Sequence, residues 1–363
     1  RQAPALLCRF PRQQPAKRQC RRQLRADFRN LFALDREEGA VMVEDFKRVE
    51  PVAVRDFKTS AHLLTEFMRS EESPTFRSLH SLLFRGESSA KFSLIPSALR
   101  PEKQNEFRRL AEAAGLIVEN GGRPLNEDEH IDCELQLIKF FYKTANQKGL
   151  PLPPLPYKWH ERLQNHWLMT NDDQLKEWIP VELAETVALM QHYGFPTRML
   201  DWSTNILTAL YFAAHGAAQR LKDKEADNTD YMVIWILEKP IDTGIKLSPK
   251  DTFPIRFVTP SYAGNPNLSA QKGVLTYVPA PLYSQSMDYV LPLDQYLKQF
   301  YAAPNHACFE PVLTKARIPI NNYKHTLKIL SSFGIDDTAL FPGYSSIMRQ
   351  LDEKVVWLRN DTA

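Results

Sequence analysis

Residues 231–237, Tyr-Met-Val-Ile-Trp-Ile-Leu, are apolar without a break and partly β-branched. Alternation of apolar and polar residues would mark a strand with one wet face. An unbroken run of this length marks a central strand covered on both faces. A chain holding such a strand needs a packed layer on each side of a sheet. Helical periodicity supplies those layers. Ser60 precedes Leu63, Leu64, Phe67 and Met68 in the pattern of a capped amphipathic helix. Phe107, Leu110, Ala111 and Ala114 fit a second helix, and Leu135, Ile138, Phe141 and Tyr142 a third that Gly149 and the prolines of 151–156 end. Pro180 opens a helix with the face Leu183, Val187 and Met190, stopped by Gly194 and Pro196. Ser203, Thr204 or Asn205 can cap the next, whose buried face is Ile206, Leu210, Tyr211 and Ala214. A late helix carries Leu327, Leu330 and Phe333, with Gly334 just past its end.

Two more strands read clearly. Leu82-Leu83-Phe84 is a buried strand opening into a turn at Gly86, and residues 273–278 form another. The proline stretch at 151–156 is stiff and short for a domain linker. The expected fold is therefore α+β: a small central mixed sheet with several flanking helices, in a single domain.

Charge is distributed unevenly. Residues 1–30 hold nine basic residues against Asp27, a net of +8, so of the formal +3 the rest of the chain carries −5. The body is mildly acidic, which does not point to nucleic acid as a partner; the basic leader is the one segment that would suit it. Residues 1–41 are rich in Arg, Gln and Pro, a composition that cannot bury enough surface to order itself. They are expected to be a disordered or non-native leader, with the native protein starting near Met42 and the domain running over 42–363. Four scattered cysteines, no apolar run long enough for a bilayer and no signal-peptide pattern make cytoplasm the expected location, away from membranes.

The densest set of hydrogen-bonding side chains lies at 191–203, where Gln191, His192, Thr197, Arg198, Asp201, Trp202 and Ser203 surround a Gly-Phe-Pro turn. Read as a loop between two helices, this is a place where ligand contacts gather. Two roles are open for His192 and Asp201: an acid–base pair, or a satisfied histidine beside an aspartate that pairs with Arg198 and caps a helix. Arg85, before Gly86, offers a fork of donors suited to phosphate or carboxylate, or else forms a structural ion pair with Asp201 or Glu87. Gly86 would let a ligand or backbone approach closely. No nucleophile elbow, Walker loop or Rossmann fingerprint is present, and the pairs His130/Cys133 and His306/Cys308 match no common zinc spacing. No metal is expected.

Three segments together carry a resemblance. They are Phe84-Arg85-Gly86-Glu87 with Leu94-Ile95-Pro96-Ser97-Ala98-Leu99-Arg100; Gln191 through Ser203 followed by Ala209-Leu210-Tyr211-Phe212-Ala213; and Ala270-Gln271-Lys272-Gly273 with Leu340-Phe341-Pro342. In order and spacing the chain resembles the FRG-domain family over about residues 55–350, a family found mostly in bacterial and phage proteins. It departs from the usual pattern at Ser203, where threonine is commoner, and at Asn267, where a basic residue is often seen. A looser similarity links Arg85, Ser203 and the following helix to ADP-ribosyltransferases of the arginine–serine–glutamate type, which implies NAD as cofactor. Gln271 then stands where those enzymes carry their glutamate, and an amide cannot act as a base. Three functions follow: a transferase of that kind, with His192, Asp201 and Gln271 as candidate catalytic residues; a binding module for a nucleotide or other small phosphorylated ligand; and a His192/Asp201 hydrolase. Ligand recognition through Arg85, Gly86, Gln191, Thr197, Arg198, Trp202 and Ser203 ranks above any particular catalysis. That reading requires Arg85 to meet the 191–203 segment across about a hundred intervening residues.

Overall fold

The structure, a computed structural model, describes residues 48–70, 82–116, 123, 125–165, 177–239, 253–262, 265–281, 291–303, 306, 308 and 310–351. They belong to one compact unit that starts at Arg48. Residues 1–41, read above as a leader, lie outside the described residues.

In chain order the elements are β1 (Val52–Asp56), α1 (Ser60–Ser70), β2 (Leu82–Glu87), α2 (Gln104–Ala113), α3 (Glu127–Gln147), α4 (Tyr157–Asn165), β3 (Glu177–Trp178), α5 (Ala184–His192), β4 (Leu200–Ser203) and α6 (Ile206–Lys222). There follow β5 (Tyr231–Glu238), β6 (Arg256–Val258), α7 (Pro266–Ala270), β7 (Gly273–Tyr277), β8 (Ala280–Pro281), α8 (Leu293–Ala302), β9 (Leu313–Pro319), α9 (Tyr323–Ser332) and α10 (Asp337–Leu340). Seven strands make one mixed sheet in the order β1-β9-β5-β2-β4-β7-β6. Within it β1 and β9 are parallel and the other pairs antiparallel. This is the α+β architecture expected. No helix among the described residues is long and apolar enough to cross a membrane.

The unbroken apolar run is β5, and both of its faces are covered. Met232 and Ile234 join a cluster with α6 and α9, while Val233, Trp235 and Leu237 pack on the opposite side with Leu200, Trp202 and Leu297. A third cluster unites α2, α3, α4 and α5 against Leu275 and Tyr277 of β7. The pleat divides β2 in the same way: Phe84 packs with α6, whereas Leu83 belongs to the opposite cluster.

Several local expectations need correction. Gly86 lies inside β2 and not at a turn, because β2 pairs with β5 through Glu87. The cap of α1 is Thr59, whose Oγ1 accepts from the His62 amide at 3.1 Å. Ser60 is drawn inward instead, its hydroxyl 2.6 Å from that of Thr326. Asn205 is the cap of α6, accepting from the Leu207 amide at 3.0 Å. Leu110 and Phe333, expected on buried faces, are 39% and 65% exposed. Gly334 follows α9 with φ +69°, the left-handed geometry foreseen for it. The segment 191–203 is not a loop between helices: its last four residues are β4, a strand flanked by β2 and β7.

Candidate functional site

Strands β2 and β4 are neighbours that pair at a single position, Phe84 with Ser203. Beyond that pair they part, and Arg85 bridges the gap by donating from Nη1 to the Asp201 carbonyl at 2.9 Å. Its Nε donates to Glu87 Oε1 at 2.8 Å. Nη1 also stands 3.9 Å from the Asp201 carboxylate. Two distant stretches therefore meet, and they meet at a cavity of about 310 Å³. Its polar wall is Arg85, Arg100, Lys103, Glu106, Gln191 and Asp201; Phe107, Leu110, Phe195 and Met199 supply apolar surface.

The third side comes from the segment after Leu94. Ser97 ties it down: its hydroxyl accepts from the Thr197 amide at 3.2 Å, and the Ala98 amide donates to the Thr197 carbonyl at 3.1 Å. Arg100 follows, half-buried, its Nε donating to the Ile95 carbonyl at 3.2 Å. Its two terminal nitrogens make no hydrogen bond to any described residue. Lys103 pairs with Glu106 at 2.7 Å on the exposed rim, an arrangement of small energetic weight in water.

Asp201 is held by a directional chain. The Met199 amide donates to Thr197 Oγ1 at 3.2 Å, the Thr197 hydroxyl donates to Gln191 Oε1, and Gln191 Nε2 donates to Asp201 Oδ1 at 2.6 Å. The Asp201 side chain lines the cleft and is 69% exposed. Desolvation by the cleft walls lifts its pKa above the usual carboxylate range, with Arg85 and the Gln191 hydrogen bond pulling the other way.

A buried polar cluster lies next to Phe107 of the cleft wall. Arg198 is 3% exposed and its Nε contacts both oxygens of Glu134, at 3.0 and 2.8 Å. Trp178 Nε1 donates to the same carboxylate. His130 packs alongside, its Nε2 2.7 Å from the Ala98 carbonyl and its ring stacked on Phe107 at 4.5 Å. Burial pushes its pKa down, against the raising influence of Glu134. Neutral His130 therefore carries its proton on Nε2, facing that carbonyl.

The sequence-based candidates separate accordingly. Arg85, Gln191 and Asp201 line the cleft. Thr197 does not line it; it acts through Gln191. Arg198 is bound to Glu134 and not to Asp201, so it is scaffold. Trp202 is 3% exposed, with its indole N–H on Thr276 Oγ1 at 2.8 Å. Ser203, 5% exposed and outside the cleft lining, donates to the Gln271 carbonyl at 2.7 Å and accepts from the Asn205 amide at 3.0 Å. At Gly86 a Cβ would come within 1.9 Å of the Ala209 carbonyl oxygen; the close approach there is by α6 and not by a ligand. His192 is exposed against Tyr193 and outside the cleft. Gln271 is also outside it, its amide donating to the Leu340 carbonyl at 3.2 Å. That bond joins the two late motif segments.

Sequence reasoning did not single out Arg100, Lys103, Glu106, Leu110 or Phe195. Arg100 closes one motif segment and Phe195 lies inside another, so these two carried a signal. Among the described residues no group of three or more His, Cys, Asp or Glu side chains is placed to hold a metal ion.

The model of the FRG domain matches residues 80–222, from β2 to the end of α6. No curated protein and no solved structure matches the chain. The matched span includes every cleft residue named above, so the cleft lies within a segment similar to the FRG domain.

Proposed function

We propose that the cleft between β2, Arg100 and the α5–β4 turn binds a small phosphorylated ligand, with nucleotides in that class, and that the domain is a recognition module. One observation carries the reading. The terminal nitrogens of Arg100, set in a concave wall beside Arg85 and Lys103, have no hydrogen-bond partner among the described residues. A guanidinium with open donors in such a place is matched in shape and charge to phosphate.

Transfer from NAD in the manner of the arginine–serine–glutamate enzymes finds no support. The hydroxyl of Ser203 and the amide of Gln271 do not fit the NAD-holding arrangement, since both are bonded to backbone outside the cleft. A hydrolase using His192 with Asp201 lacks the pairing that it needs, because His192 does not line the cavity. We place the protein in the cytoplasm, in keeping with the buried, unpaired thiols of Cys133 and Cys308.

Calorimetric titration with phosphate, pyrophosphate, ADP and NAD tests the reading. Binding of at least one is expected, and Arg100→Ala should weaken it by about tenfold or more, the scale of one charge-assisted hydrogen bond. Absence of heat with all four would sink it.

A further inference from the structure

The chain of hydrogen bonds that ends on Asp201 fixes which of its oxygens the protein already engages. A backbone N–H can only donate, so the Met199 amide occupies a lone pair of Thr197 Oγ1. The Thr197 proton then goes to Gln191 Oε1. The remaining half of that amide, its NH₂, faces Asp201 Oδ1 at 2.6 Å. Turning the amide over would set two acceptors, a carbonyl oxygen and a carboxylate oxygen, against each other at that distance. Oδ1 therefore already accepts the Gln191 amide, and Oδ2, with Arg85 Nη1 3.9 Å away, is the oxygen with more acceptor capacity left for a ligand.

The charged groups of the cavity wall differ in what they ask of a ligand. Arg85 already donates to Glu87 and to the Asp201 carbonyl, and the Asp201 carboxylate beside it would repel an anion. Arg100, with its terminal nitrogens open, favours one, while Lys103 is already paired with Glu106. A ligand that satisfies both brings hydrogen-bond donors to Oδ2 and an anionic group to Arg100. Neutral hydroxyls suit Oδ2 better than an ammonium group, because the Arg85 guanidinium already stands beside it. We infer that the cleft selects a phosphorylated sugar, with ring hydroxyls donated to Asp201 Oδ2 and the phosphate held by Arg100. The inference rests on the phosphate-binding reading above. It adds Asp201 as the specificity-determining residue and Gln191 as the residue that positions it.

Titration of the full chain with ribose 5-phosphate, inorganic phosphate and phosphoethanolamine tests it. Ribose 5-phosphate should bind at least about tenfold more tightly than inorganic phosphate, and phosphoethanolamine should show no such gain. Asp201→Asn places an NH₂ donor where Oδ2 accepted, and should bring the ratio of the first two affinities close to one. Gln191→Leu should lower the same ratio, which keeps the test intact if Asp201→Asn fails to fold. A ratio near one in the wild type, a ratio untouched by both variants, or a preference for phosphoethanolamine overturns sugar selection and leaves phosphate binding standing. If neither ribose 5-phosphate nor phosphate binds, sugar selection fails; if pyrophosphate, ADP and NAD are silent as well, the phosphate reading fails with it.

Discussion

Two arginine–carboxylate pairs use residues only three positions apart in β4 and the turn before it, and they are built differently. Arg198 and Glu134 meet in a dry interior, where one guanidinium nitrogen touches both carboxylate oxygens and Trp178 adds a further bond. Arg85 and Asp201 meet in the lining of an open cleft, 3.9 Å apart, with the Asp201 side chain 69% exposed. A pair shut in the interior is out of a ligand's reach, and its worth is that neither charge can be removed cheaply. A loosely coupled pair at a concave surface keeps acceptor and donor capacity available. The position of an arginine in a motif therefore says less than whether a ligand can reach it.

Cutting each pair at its carboxylate is the strongest way to break this comparison. Glu134→Ala strands Arg198 in the core and should cost about 3–5 kcal/mol in urea unfolding, whereas Asp201→Ala should cost less than about 1 kcal/mol. Equal losses would erase the distinction. Next in size is the neighbour of Arg85. Gly86→Ala forces a methyl against the Ala209 carbonyl and should destabilise by about 1–3 kcal/mol or more. A neutral result in the same assay would mean that α6 does not pack as closely on β2 as described. The smallest effect is in pH dependence. Folding raises the pKa of Asp201 by desolvation, so the folded chain holds that proton more tightly than the unfolded one. Its contribution to stability is present below the unfolded carboxylate pKa and is lost as pH rises through the folded value. The wild type should accordingly gain Tm relative to Asp201→Asn as pH is lowered from 7 toward 4. A gap that moves the other way would show the carboxylate to be better solvated in the cleft than its surroundings imply.

The large elements were legible because their signals are long. The apolar run of β5 and the apolar faces of α5 and α6 owe little to distant residues. β4 was not legible. It is four residues long and holds Asp201, and its strand character comes from β2 and β7 on either side. Within it, Leu200 and Trp202 point to the core while Asp201 faces the cleft, an alternation too brief to separate from the polar turn before it. The true partner of Arg198 lies 64 residues away on α3, and no spacing rule reaches that far. Arg100 and Leu110 were passed over for the opposite reason. Each has a plausible local role, one as the last residue of a motif and the other on a helix face, and only the tertiary arrangement turns both toward a cavity.

The pairing of β2 and β4 has a consequence for the order in which the molecule is assembled. These strands touch at one register position, and each is secured on its far side by a strand that follows the matched family segment: β2 by six pairs with β5, β4 by four pairs with β7. During synthesis the walls of the cleft therefore emerge from the ribosome well before their supports. A chain released at residue 222 would contain every side chain of the pocket and still have no pocket.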